Sequence, residues 1–330
     1  MSNYKFIASI HNLKIKETLS KGILFKENLR ISNSKSKLED YIDEYFISII
    51  GKLEYTSLMD LPYFYSTASI EDPEIIIKDE KGMDLLNYFI LSTQSFSSLL
   101  WLVKDNSVNV INGFIDLEDE VKRNFHTNYR TTSFYNKEGK TAIVEFTREE
   151  INKVISLHKN LFVPFNLETS IKNEHTSKEA FNGNRFERVF HSIQAARSEA
   201  YLPSRIALFI TVLETLLSTT SSEVSHKLKE RLAWLLGSNY FERKEIFDNL
   251  GLIYSIRSAY VHGNTMPKKG NSIEKLEGLS SIIEDYTRKI VLKFLEDERI
   301  RNLYVGVGEA TDRRIETWLN EIVLGGDGKI

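Results

Sequence analysis

From about Asn182 to the end of the chain, apolar residues recur every three or four positions, and the stretches close on helix-stopping residues. That rhythm constrains the fold more than any other feature of the sequence. Phe186 to Tyr201 forms the first stretch. Pro203 stands where proline suits the opening turn of the next, which runs through about Leu217. Ser222 to Leu236 is stopped by Gly237, and Phe241 to His262 by Gly263 with Pro267 beyond. Ser272 to Arg301 follows, and Asp312 to Leu324 adds a short sixth element. Antiparallel helices with connections this short pack as a bundle.

The first half carries a different pattern. Lys5 to Lys16 and Gly22 to Ser32 alternate as short strands do, and Ser36 to Ile50 reads as helix. Met83 to Lys104 places Leu85, Leu86, Phe89, Ile90, Phe96, Leu99, Leu100 and Val103 at helical spacing, which predicts a long buried helix. Val108 to Leu117 and Thr131 to Phe146 read as strands, the second folded at Asn136–Gly139. Thr147 and Glu150 form a capping box for a helix toward Leu161. Asp79 to Gly82 reads as a turn, and Asp116 to Glu120 as solvated acids. The expected fold class is therefore an α+β N-terminal domain over residues 1–165, a polar linker over 166–181, and an all-α helical bundle over 182–330. A chain of 330 residues is long enough for two such cores.

Composition removes several classes of function. The absence of cysteine excludes disulfides, thiolate metal sites and a cysteine nucleophile. The opening Met1-Ser2-Asn3-Tyr4-Lys5 lacks the apolar core of a signal peptide, and no apolar run approaches the roughly 20 residues of a membrane span. A cytoplasmic protein without membrane partners is the expectation. There is no phosphate-binding glycine loop, G-x-S-x-G elbow or H-E-x-x-H pair. The other histidines lack metal-ligand spacing, so neither metal nor cofactor is expected.

The segment that carries chemistry is Ile256-Arg257-Ser258-Ala259-Tyr260-Val261-His262-Gly263-Asn264. On an ideal helix Arg257 and His262 lie about 140° apart, flanking one broad polar edge. Tyr254, Ser258 and His262 form an i, i+4, i+8 stripe that ends at the imidazole. A neutral imidazole can accept the proton of a ribose 2′-hydroxyl, and an imidazolium can return one to a leaving 5′-oxygen. A guanidinium can grip phosphate oxygens bidentately as charge builds on them. The same two residues also admit a plain reading, a surface ion pair and a histidine fastened to the helix C-terminus.

Neighbouring residues extend the candidate site. Glu214 sits within the apolar run Ile206 to Leu217 and requires a partner, since an unpaired carboxylate there costs several kcal/mol. Arg257 is one choice; Arg205, Lys227 and Arg231 are the others. Between His226 and Lys269 eight basic residues face four acidic ones, a local net of 8 − 4 = +4 in a chain of net −3. That excess suits an RNA-facing surface and equally a solvated helix face. Lys268 and Lys269 are the candidates for phosphate contact. Tyr260 could stack on a base or belong to the core.

Around these residues the chain resembles the HEPN superfamily. Arg257 to Gly263 is similar to its motif of arginine, four to six residues and histidine, with the Arg-Ser start and Val-His-Gly end of the ApeA-like group. Ile206 to Leu217 resembles that family's apolar helix with a single glutamate. Ser222 to Ala233 and Arg243 to Phe247 resemble the segments that follow. The likeness spans about Arg185 to Glu298. It implies a helical bundle that pairs as a homodimer, with two motifs forming one composite site. It also implies metal-independent endoribonuclease activity and a place in antiphage abortive infection or a toxin system. Arg257 and His262 carry over as catalytic, with Glu214, Ser258, Tyr260 and Asn264 in support. The N-terminal domain would then sense a trigger, phage-derived or neighbour-encoded, or hold the nuclease in check. Ser258 stands where many active members have Asn, Asp or His, which leaves open an inactive HEPN module serving binding or assembly within a larger defence complex. Asn264 replaces the tyrosine that toxins modified by a nucleotidyltransferase carry at that place.

Overall fold

A computed structural model describes residues 3–70, 79–118, 120–129, 132–162 and 183–326, apart from the side chain of Lys269. The expected linker, 166–181, lies outside the described residues. Two compact units form. One holds the described residues up to Phe134 together with Thr141–His158; the other holds Tyr135–Lys140 and the described residues from Lys159 onward. Within the second unit Phe162 packs edge-on against Phe190 at 4.7 Å.

The first unit is a six-stranded antiparallel sheet with helices. In chain order its strands are β1 (Asn3–Ser9), β3 (Ile23–Lys26), β4 (Leu29–Ser32), β5 (Tyr63–Ser69), β6 (Asn112–Glu118) and β7 (Arg123–Tyr129), arranged β3-β4-β5-β1-β6-β7. β2 (Leu13–Ile15) pairs in parallel with β8 (Val144–Phe146). Ser34 and Asp43 cap two helices, α1 (Lys35–Tyr41) and α2 (Glu44–Asp60), where the sequence suggested one. The long helix α3 (Asp79–Val103) packs on β1, β6 and β7. Phe89 stacks on Phe6 at 4.7 Å there. The capping box Thr147/Glu150 opens α4 (Arg148–Leu157).

Three sequence expectations are corrected in this unit. Asp79–Gly82 is the first turn of α3 rather than a loop. Asp116 is buried and not solvated, because Arg123 pairs with it at 2.6 Å and with Asp43 at 2.8 Å. Of the expected strand Thr131 to Phe146, only Val144–Phe146 is strand among the described residues. Its turn does form: Asn136 Oδ1 accepts from the Glu138 and Lys140 amides, and Gly139 takes the positive φ of +72° that the turn requires.

The second unit contains seven α-helices among the described residues: α5 (Arg185–Arg197), α6 (Leu202–Leu217), α7 (Val224–Leu236), α8 (Tyr240–His262), α9 (Ile273–Glu296), α10 (Glu298–Tyr304) and α11 (Glu309–Val323). The expected helix from Ser272 to Arg301 breaks at Asp297, whose carboxylate accepts from the Arg299 and Ile300 amides and starts α10. The apolar α6 is the hub, packing on α5, α7, α8 and α9. Ile206, Phe209, Ile210, Leu213, Leu216 and Leu217 are buried along it.

Among the described residues, four arginines of this bundle are nine-tenths or more buried. Arg205 meets Glu284 at 2.5 Å and donates to the carbonyl of Ala196 at the end of α5. Arg185 donates to the carbonyls of Thr215 and Ser218, Tyr304 to that of Leu216, and Arg231 to that of Leu217. The last carbonyls of α6, which no helical amide can reach, are therefore met by side chains one after another. No described helix of either unit is long and apolar enough to cross a membrane.

Candidate functional site

The site is built on α6 and α8, which pack directly on each other. Ile246, Leu250, Ile253, Ile256 and Ala259 form the buried stripe of α8, so Tyr254, Arg257 and Ser258 flank it at partial exposure. Glu214 projects from α6 between the buried Leu213 and Leu216. The Tyr254 hydroxyl donates to Glu214 Oε1 at 3.1 Å. Arg257 Nη2 stands 3.8 Å from Glu214 Oε2, an ion pair but too long for a hydrogen bond. The guanidinium also lies over the Tyr254 ring, 5.5 Å from its centroid. Of the partners open to Glu214 on sequence grounds, Arg257 is the one it meets. Arg205 is engaged by Glu284, and Arg231 and Lys227 by Glu316.

Burial and the neighbouring Glu214 charge raise the Tyr254 phenol above its ordinary value, while Arg257 opposes them. Tyr254 therefore remains a neutral hydrogen-bond donor at physiological pH. The arginine is held on one side and 27% exposed on the other, so it retains donors for an incoming anion.

Local backbone chemistry sets where His262 sits. Gly263 adopts a φ of +67°, its amide reaches Tyr260 O at 3.4 Å, and the Asn264 amide reaches Ala259 O at 2.9 Å. This is the paired-bond stop that a left-handed glycine permits, and it leaves His262 exposed as the last residue of the helix. The Asn264 side chain is exposed beside it. Ser258 lies one turn before His262, half-covered. Tyr260 is exposed rather than core, with its ring 6.1 Å from that of the more exposed Tyr201.

Lys268 opens a short 3-10 turn, Lys268–Gly270, and is exposed; the Lys269 side chain is outside the described residues. Gly270 leaves no room for a Cβ against Ile256, which pins this turn beside the residue preceding Arg257. The basic excess around the motif is smaller at the surface than in the sequence, because Arg231 is buried on Glu316 and Lys244 is paired with Asp248 at 2.5 Å.

Two participants escaped the sequence reading in these roles. Tyr254 belonged to the predicted stripe, but its bond to a helix 40 residues away has no local signal. Tyr201 joins Tyr260 only through the packing of separate helices. Among the described residues no group of three or more His, Asp or Glu side chains is placed to hold a metal ion. No protein-family model, curated protein or solved structure matches the chain. Fold and site therefore rest on the residues themselves.

Proposed function

We propose that the chain is a metal-independent endoribonuclease of the HEPN type, acting as a homodimer in which two copies of Arg257 and His262 form one composite site. The observation that carries this reading is an arginine braced by Glu214 and Tyr254 on the same helix that delivers an exposed histidine at its glycine-capped end. A structural ion pair alone would not call for the histidine. The two groups together supply what cleavage of a ribose-linked phosphodiester requires.

In the reaction, neutral His262 takes the 2′-hydroxyl proton while the 2′-oxygen attacks the adjacent phosphorus. Arg257 neutralises the charge that accumulates on the phosphorane oxygens. An imidazolium of the facing motif protonates the departing 5′-oxygen. The products are a 2′,3′-cyclic phosphate and a 5′-hydroxyl, with protons balanced and no oxidant or cofactor consumed. The N-terminal α+β unit serves to sense a trigger, and the whole acts in the cytoplasm as an abortive-infection effector.

The test is cleavage of single-stranded RNA in EDTA by the parent, His262→Ala and Arg257→Ala proteins. The parent should cut and leave cyclic phosphate ends. Each variant should lose about 100-fold or more in rate, the scale of general acid–base and charge-stabilising groups. A His262→Ala protein that cuts as fast as the parent would overturn the mechanism. A paired but inert parent would favour the assembly-module reading.

A further inference from the structure

Away from the motif, α7 and the start of α8 enclose an open pocket of about 340 Å³. Trp234, Tyr240 and Phe247 supply aromatic walls, with Arg243, Lys244 and Glu230 as its charged members. The volume lies at the small end of the range for ligand sites. The guanidinium carbon of Arg243 lies over the Trp234 ring, 3.6 Å from its centre, a close cation–π contact. Its Nε donates to Gly237 O at 3.0 Å, and among the described residues its terminal nitrogens have no hydrogen-bond partner. Tyr240 is 69% exposed at the mouth, and the neighbouring Phe241 is 80% exposed. Such an aromatic cluster on a helix end is not spent on the core.

We infer that this pocket is a nucleobase subsite for single-stranded RNA, resting on the ribonuclease reading of the Arg257 end. A base has a flat face to add to the Trp234–Arg243 pair and exocyclic amines to donate to Glu230. Its phosphate brings the negative charge that Arg243 lacks. An apolar protein side chain would fill the aromatic walls but leave that guanidinium covered and uncompensated. Spacing fits a shared strand: Arg243 and Arg257 are 14 positions apart on α8, about 21 Å along the axis and about 40° around it. One strand a few nucleotides long could touch both.

The experiment uses the full-length His262→Ala protein, so that RNA persists, and reads tryptophan fluorescence alongside anisotropy of a labelled oligoribonucleotide. Of the three tryptophans, Trp101 and Trp318 are buried, which leaves Trp234 as the accessible reporter. Oligoribonucleotide should quench the emission, and a Trp234→Phe change should remove that response. A Tyr240→Ala change at the exposed mouth should weaken binding about tenfold, within the range for loss of one base stack, with an unchanged melting temperature. RNA bound with no quench and no effect of Tyr240→Ala would overturn the subsite while leaving the ribonuclease reading intact. Quenching by AMP as strong as by the oligomer would overturn the RNA assignment in favour of a free nucleotide. A change that follows protein concentration instead of RNA would overturn it in favour of self-association. Should RNA quench Trp234 while the parent protein cuts nothing, the subsite stands and the ribonuclease reading fails.

Discussion

Arg257 is held on a loose tether. At 3.8 Å from Glu214 it is drawn by charge without being locked by a hydrogen bond, and its partner is itself anchored by Tyr254 at 3.1 Å. A partly exposed pair of this kind contributes roughly 0–1 kcal/mol to stability, so its effect should fall on activity. Changing Glu214→Gln is expected to lower the cleavage rate about tenfold, less than losing the transition-state donor itself, while shifting the urea midpoint very little. Rate and denaturation curves measured on one preparation check both halves of that expectation. Loss of folding with unchanged turnover would mark Glu214 as a structural residue. The demand for a partner was legible because a carboxylate inside an apolar helix cannot remain alone. Which of four cations would answer it was not, since Arg205 and Arg231 are taken by glutamates from distant helices. Gly263 and His262 were readable because the stop signal and the functional residue are neighbours in sequence.

Among the elements, α6 depends most on its end. Its final carbonyls are met by Arg185, Tyr304 and Arg231 from three other helices, which ties the terminus into α5, α10 and α7. Tyr304 is fully buried, and its hydroxyl lies 2.7 Å from Leu216 O. A Tyr304→Phe change keeps the ring and removes one donor, leaving a buried carbonyl unmet. The expected cost is about 1–3 kcal/mol, read as a lower denaturant midpoint at unchanged slope; an unchanged midpoint would show that another donor replaces it. Most helices of this unit were legible because an apolar stripe and end signals coincide in them; the break at Asp297 between α9 and α10 was not, because the apolar spacing runs on across it. The sheet was less legible. Tyr63–Ser66 in β5 is buried at four consecutive positions, which erases the alternation that reveals a strand. β7 fails for the opposite reason: Arg123–Tyr129 is a polar edge strand with little apolar pattern to find. Thr131 to Phe146 misled because its residues have strand propensity, yet Tyr135–Lys140 is drawn into the helical unit, where the Tyr135 amide bonds Arg197 O at 2.8 Å.

For the whole molecule, the division into an α+β unit and a helical unit was legible from the change in period. The net charge of −3 carries no RNA signature; the proposed activity rests instead on a few side chains of one bundle and on its pairing with a second copy. That pairing can be measured without a substrate. The chain has no cysteine, so a Thr265→Cys change gives one labelling position, exposed and three residues beyond His262. Electron–electron double resonance on the spin-labelled full-length protein then reports the separation of the two motif ends in solution. The account predicts a single, well-defined distance shorter than the length of α8, roughly 35 Å for 23 residues. A signal with no coupling between labels, or one centred well beyond that length, would contradict the composite site.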